Sequence, residues 1–125
     1  LLTRLVEPAI APLGAVFVFD YPASQAALAR LRPDRLALAE RFELYVDGIE
    51  LANGFTELAD ADEQRRRFEA DNRARQAQGL PPVPLDEGLL AALQHGLPDC
   101  AGVALGFDRL LMLACGLSDI AALRV

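Results

Sequence analysis

The run Ala15-Val16-Phe17-Val18-Phe19 is apolar, β-branched and aromatic without interruption, which predicts a buried strand ending at Asp20-Tyr21-Pro22. Upstream, Pro8, Pro12 and Gly14 keep any helix short. Downstream, the alanine-rich stretch from Ser24 to Leu31 predicts a short turn of helix that stops before Pro33. Arg41-Phe42-Glu43-Leu44-Tyr45-Val46 then alternates polar and apolar residues, followed by Asp47-Gly48 and by Ile49-Glu50-Leu51-Ala52-Asn53. An Asp-Gly pair between such runs predicts a two-residue hairpin turn, because both residues tolerate positive φ. Counting back from that turn pairs Val46 with Ile49, Tyr45 with Glu50 and Glu43 with Ala52. Phe42, Leu44, Val46, Ile49 and Leu51 are then expected on the core face, and Glu43, Tyr45, Glu50 and Ala52 on the other.

A long helix is expected from about Asp62 to Gln78, capped by Asp60 or Asp62 and ended by Gly79. Leu80-Pro81-Pro82-Val83-Pro84 predicts an extended connection. A second helix follows from Asp86 through Leu93, with Leu89, Leu90 and Leu93 on one stripe. Gly96 to Cys100 reads as a loop, Ala101 to Gly106 as a strand, and Asp108 to Ala114 as a helix closed by Gly116. Ser118 to Leu123 begins another helix.

Composition narrows the classes. With 53% hydrophobic and 24% charged residues in 125, the chain has the apolar content of a folded domain, or of part of one, and not of a disordered segment. No apolar run approaches the roughly 18 residues of a membrane span. The net charge is −6, and every basic residue is arginine. That balance lacks the basic footprint of a nucleic-acid binder. Cys100 and Cys115 form neither a disulfide framework nor a metal knuckle, so reduced thiols and a cytoplasmic location are expected. The opening Leu1-Leu2-Thr3 reads as the interior of a longer domain.

Two patterns carry candidate chemistry. The hairpin pairing sets Glu43 and Glu50 diagonally across one face, about 7–8 Å apart at Cα. Like charges so close need arginine partners or a divalent cation, Mg²⁺ with a nucleotide's phosphates being the natural one; the plain alternative is a solvated sheet face. Glu57 falls on the opposite face under strict alternation, unless a bulge at Gly54 re-aims it. The second pattern is Gly102-Val103-Ala104-Leu105-Gly106-Phe107-Asp108-Arg109, a glycine-spaced strand running into a helix whose first turn offers a planar cation. Tight strand–helix packing is its alternative. His95 reads as a helix end, two serines give a hydrolase triad little to work with, and Arg65-Arg66-Arg67 reads as an ion-paired, solvated helix face.

Glu40 to Tyr45 with Gly48 to Leu58 resembles the ATP and lysine region of class II lysyl-tRNA synthetases, and Gly102 to Leu113 resembles class II motif 3. Tyr21-Pro22-Ala23-Ser24-Gln25 and Gly96-Leu97-Pro98-Asp99-Cys100-Ala101-Gly102 further resemble the elongation factor P β-lysine ligases, synthetase paralogues without an anticodon-binding domain. Ala104, where lysyl-tRNA synthetases have glycine, fits that paralogue family. The resemblance implies an α/β (α+β) fold, a mainly antiparallel sheet flanked by helices, with residues 1–125 forming the C-terminal half of the catalytic domain: motif 3 included, motifs 1 and 2 absent. It implies ATP and Mg²⁺ as cofactors, with Glu43, Glu50, Leu51, Gly106 and Arg109 on ATP, Glu43 and Glu50 on the metal, and Arg109 as the catalytic guanidinium. It assigns Asn53, Glu57 and Ala104 to the substrate, (R)-β-lysine. Elongation factor P is the implied protein substrate and a homodimer the implied full-length assembly, with neither tRNA nor membrane as partner. An isolated half-domain is expected to be inactive. The alternatives are the matching part of a lysyl-tRNA synthetase charging tRNA with lysine, and a non-catalytic paralogue, although the latter sits poorly with the presence of Glu43, Glu50, Glu57 and Arg109 together.

Overall fold

A computed structural model describes residues 2–123. Its centre is an antiparallel sheet of strands β1 (Ala15–Pro22), β2 (Leu31–Arg32), β3 (Arg35–Val46), β4 (Ile49–Thr56) and β5 (Ala101–Leu105), ordered β1-β3-β4-β5 with β2 paired to β3. The helices are α1 (Glu7–Ile10), α2 (Ala61–Ala77), α3 (Glu87–His95) and α4 (Phe107–Ala114). This is the mainly antiparallel α/β arrangement the sequence led us to expect. Among the described residues no helix is long and apolar enough to cross a membrane.

Local chemistry accounts for the element ends. Asp60 caps α2 by accepting from the backbone N–H of Asp62 and Glu63, and Asp86 caps α3 by accepting from Leu89. Leu90 and Leu93 of the expected stripe are buried. The Asp47-Gly48 turn has φ of 51° and 80° at its two residues, as a hairpin of this type requires.

Three expectations are corrected. The alanine-rich segment after β1 forms only a single 3-10 turn, Ala23–Gln25, and by Leu31 the chain is already extended as β2. The first strand is not ended by Asp20-Tyr21-Pro22 but includes them, running to Pro22 across an irregularity between Phe19 and Tyr21, with Asp20 at φ 59°. There Glu40 and Arg41 of β3 lie opposite Asp20 alone, and beyond the irregularity Tyr21 pairs with Ala39, on the face of Val18 and Glu43.

The third correction concerns which face is covered. Glu43 and Tyr45 are buried, whereas of the five residues expected on the core face only Leu51 is; Phe42, Leu44, Val46 and Ile49 are half-buried. On β1 their neighbours Phe17 and Phe19 are 60% and 69% exposed. The core cluster Tyr21, Ala26, Ala29 and Ala39, with Val18 and Phe55 against it, lies on the face that alternation assigned to solvent. The 23–29 segment folds over that face, and its polar residues are buried because they pair with one another.

The glycines supply a test of packing. A Cβ at Gly48 would lie 2.8 Å from the Ala11 Cβ and at positive φ, whereas Gly79, also at positive φ, has open space around it. Gly48→Ala is expected to destabilise the chain by about 1–3 kcal/mol and Gly79→Ala by about 1 kcal/mol or less. Urea midpoints measured with unchanged slope check the difference, and equal costs would show that the contact with Ala11 is unimportant.

Candidate active site

The site depends on one irregularity in β4. Val46 pairs with Ile49 and Tyr45 with Glu50 as the turn dictates, but Leu44 then pairs with Ala52, Glu43 with Asn53 and Phe42 with Gly54. Leu51 is the extra residue. The expected pairing of Glu43 with Ala52 is therefore off by one, and the bulge lies at Leu51 and not at Gly54. Gly54 has a different job: a Cβ there would sit 2.6 Å from the Phe42 ring. The Leu51 carbonyl accepts from the N–H of Gly106, which ties the bulge to the end of β5 at 2.9 Å.

Past a bulge the alternation of side chains reverses. Asn53 and Phe55 therefore join Glu43, and Glu57 follows them onto the same face as Glu50. Ala104 is paired directly with Asn53, and Gly102 with Phe55. The Glu57 carboxylate lies 3.5 Å from where a Gly102 side chain would begin. Glu43, Glu50, Asn53, Glu57, Gly102 and Ala104 thus share one face, and α4 brings Arg109 to the edge of it.

Each hairpin carboxylate has its own arginine. Glu43 is 5% exposed. Its Oε2 accepts from the hydroxyls of Tyr21 at 2.6 Å and Tyr45 at 2.5 Å, and its Oε1 accepts from Arg41 at 2.5 Å. Arg41 also donates to the Gln25 carbonyl and to Asn53 Oδ1, and it stacks 4.7 Å above the Tyr21 ring. Glu50 is more open. Arg109 donates to its backbone carbonyl at 2.6 Å and approaches its carboxylate only at 3.7 Å. A Cβ at Gly106 would press on the Arg109 side chain at 3.3 Å, so glycine there leaves the guanidinium room.

Arg41, Tyr21 and Tyr45 were not among the residues singled out from the sequence. Arg41 was legible: it stands two residues before Glu43, hence on the same strand face. Tyr21 was hidden by the irregularity in β1. Arg65, Arg66 and Arg67 are ion-paired to Glu87 and Glu63 as expected, but Arg67 also donates to the carbonyls of Ala27 and Ala29 and so holds the covering segment down. The Arg67 contact, reinforced by Arg66, holds the Glu63 carboxyl below its ordinary range. The His95 ring bonds back to the Ala91 carbonyl, and both cysteines are free.

A cavity of about 670 Å³ opens beside Tyr21, Gln25, Arg41, Glu43 and Arg67. Another, about 410 Å³, joins Glu57 to apolar walls from Leu28, Leu58, Leu93 and Leu97. Among the described residues no group of three or more His, Cys, Asp or Glu side chains is arranged to hold a metal alone.

Burial and then the Glu43 contact raise both tyrosine hydroxyls well above the ordinary phenol range. The chain has only these two tyrosines. Alkaline titration followed by tyrosinate absorbance is therefore expected to show none ionising near pH 10 while the fold holds. Because the folded-state values are the raised ones, this stabilisation is complete below about pH 10 and is lost as pH climbs toward them. A tyrosinate signal at pH 10 in folded protein would contradict the burial of this cluster.

Residues 10–125 match the family model of class II tRNA synthetases (D, K and N). The chain is 59% identical over 128 residues to a protein of Pectobacterium carotovorum named elongation factor P–(R)-β-lysine ligase, covering 100% of this chain and 39% of that relative. Proteins of the same name from Klebsiella pneumoniae and Salmonella gallinarum are each 58% identical, over 96% and 97% of this chain and 37% of their own length. The chain thus spans about two fifths of the curated relatives it matches. On the strength of that match across nearly all of its length, in agreement with its antiparallel sheet, the chain belongs to the class II tRNA synthetase family.

Proposed function

We propose that this chain is the C-terminal part of the catalytic domain of an ATP-dependent ligase that activates (R)-β-lysine as an adenylate and transfers it to a lysine of elongation factor P. The observation that carries the reading is the convergence, on one sheet face, of Glu50 with Arg109 at one end and Glu57 with Ala104 and Asn53 toward the other. The names of the relatives supply the identity of the acceptor protein.

The residues divide the work by charge. Arg109, planar and permanently cationic, suits the γ-phosphate, and Gly106 lets the nucleotide approach the backbone beside Leu51. Glu50, with only a long contact to Arg109, has oxygens free for a cation. Glu43 already accepts three hydrogen bonds, which leaves one of a carboxylate's roughly four lone-pair sites for a further partner. Two carboxylates without a full protein cage match the way Mg²⁺ is held when phosphates complete its shell, and the metal when bound supplies neutralisation of phosphate charge. Glu57 would pair with the substrate's ammonium, and the leucine walls beside it fit an aliphatic chain. The Ala104 methyl, next to Asn53, narrows the place where an α-amino group would lie and favours an amine shifted by one carbon.

In the first step the substrate carboxylate attacks the α-phosphate, and the bond to pyrophosphate breaks. In the second, the acceptor lysine's amine attacks the activated carbonyl, an amide forms and AMP leaves. No covalent enzyme intermediate is needed, so positioning and charge neutralisation carry the rate.

The test uses a protein of the relatives' full length that carries this segment. Pyrophosphate exchange is expected with (R)-β-lysine in preference to α-lysine, and Glu50→Ala and Arg109→Ala are each expected to lower it by roughly an order of magnitude or more. Preference for α-lysine together with tRNA charging would replace this reading with a lysyl-tRNA synthetase. Full activity in both variants would refute the site assignment.

A further inference from the structure

We infer that Arg41 is a positioning residue that locks the Asn53 amide so that only its NH₂ group, a donor, is presented to the site. This rests on the adenylate-forming reading above for its ligands, but its geometry is independent of them. Arg41 Nε donates to Asn53 Oδ1 at 3.3 Å, while its NH1 donates to the Gln25 carbonyl and its NH2 to Glu43. A guanidinium has donors and no acceptor, so the amide atom facing it has to be the oxygen. That leaves Nδ2 as the end available to a ligand.

The guanidinium has little freedom to let go. Its side chain is 17% exposed, it stacks on the Tyr21 ring, and its partner Glu43 is fixed in turn by two buried hydroxyls. Asn53 is held from the other side by strand pairing, with Glu43 on β3 and Ala104 on β5. An amide so oriented recognises an anionic oxygen, a carboxylate of the amino acid or a phosphate of the nucleotide, and does not recognise an ammonium. It thereby divides labour with Glu57: the carboxylate takes the amine and the locked amide takes an acceptor. Arg41 itself touches neither.

The experiment is a double-mutant cycle in the relatives-length protein, reading KM for the amino acid and for ATP separately in pyrophosphate exchange. Arg41→Met and Asn53→Ala are each expected to raise one of those KM values by about tenfold. Because Arg41→Met also unpairs Glu43, the cycle is run in Glu43→Gln, where the two substitutions together are expected to raise that same KM no further than Asn53→Ala alone. The KM that responds tells whether the acceptor is carboxylate or phosphate. Asn53→Asp keeps an acceptor for Arg41, so it should fold, yet it should lose the same binding because the outward donor is gone. Multiplying effects in both KM values, or Asn53→Asp at wild-type KM, would overturn the inference. If the unsubstituted protein forms no adenylate, the functional reading fails alone, and the ¹⁵N-labelled Asn53 side-chain amide decides the geometry. Its resonances are expected to shift and broaden in Arg41→Met, and an unchanged amide there would overturn the inference.

Discussion

A carboxylate in the middle of a sheet, almost out of reach of water, organises this molecule. An ionised carboxyl group buried without partners is costly enough that a protein would protonate it or expose it. Glu43 avoids both through Tyr21, Tyr45 and Arg41, which come from two different strands. The requirement runs outward from there. Tyr21 reaches Glu43 because β1 carries an irregularity at Asp20, and Arg41 is kept flat by stacking on Tyr21 and by the Gln25 carbonyl. The 23–29 segment, itself gripped by Arg67, then closes over the group. Within this chain the covered face of the sheet is therefore the polar one.

That inversion explains what was and was not legible in the residues. The hairpin turn, the caps at Asp60 and Asp86, the long helix and the strand into Arg109 all follow from short-range rules, and they appear where those rules put them. The covered face does not follow, because alternation identifies two faces without saying which one the rest of the chain will fold against. Phe17 and Phe19 are exposed in this chain, which spans about two fifths of its relatives' length, while the polar side chains of the other face are buried because they satisfy one another.

The residues proposed from the sequence do meet in space, though not by the expected geometry. Glu43, Glu50, Asn53, Glu57, Ala104, Gly106 and Arg109 are brought together, but by a register that simple counting from Asp47-Gly48 does not give. Bulges leave weak marks in sequence. A glycine in a strand invites one, and Gly54 drew that reading, although its small size serves the Phe42 ring. Leu51 carries no such mark. Its role emerges only from the pairing on both sides of β4 and from the hydrogen bond that Gly106 makes to its carbonyl.

One odd residue in β4 makes the number of amino acids between Asp47 and Glu57 as meaningful as their identities. Without Leu51 the strand would pair evenly, with Asn53 still opposite Glu43 and Glu57 still on that face, but the carbonyl that receives the Gly106 N–H would be lost. The length of that stretch thus bears on how the end of β5 is moored, a matter that residue identities alone do not express.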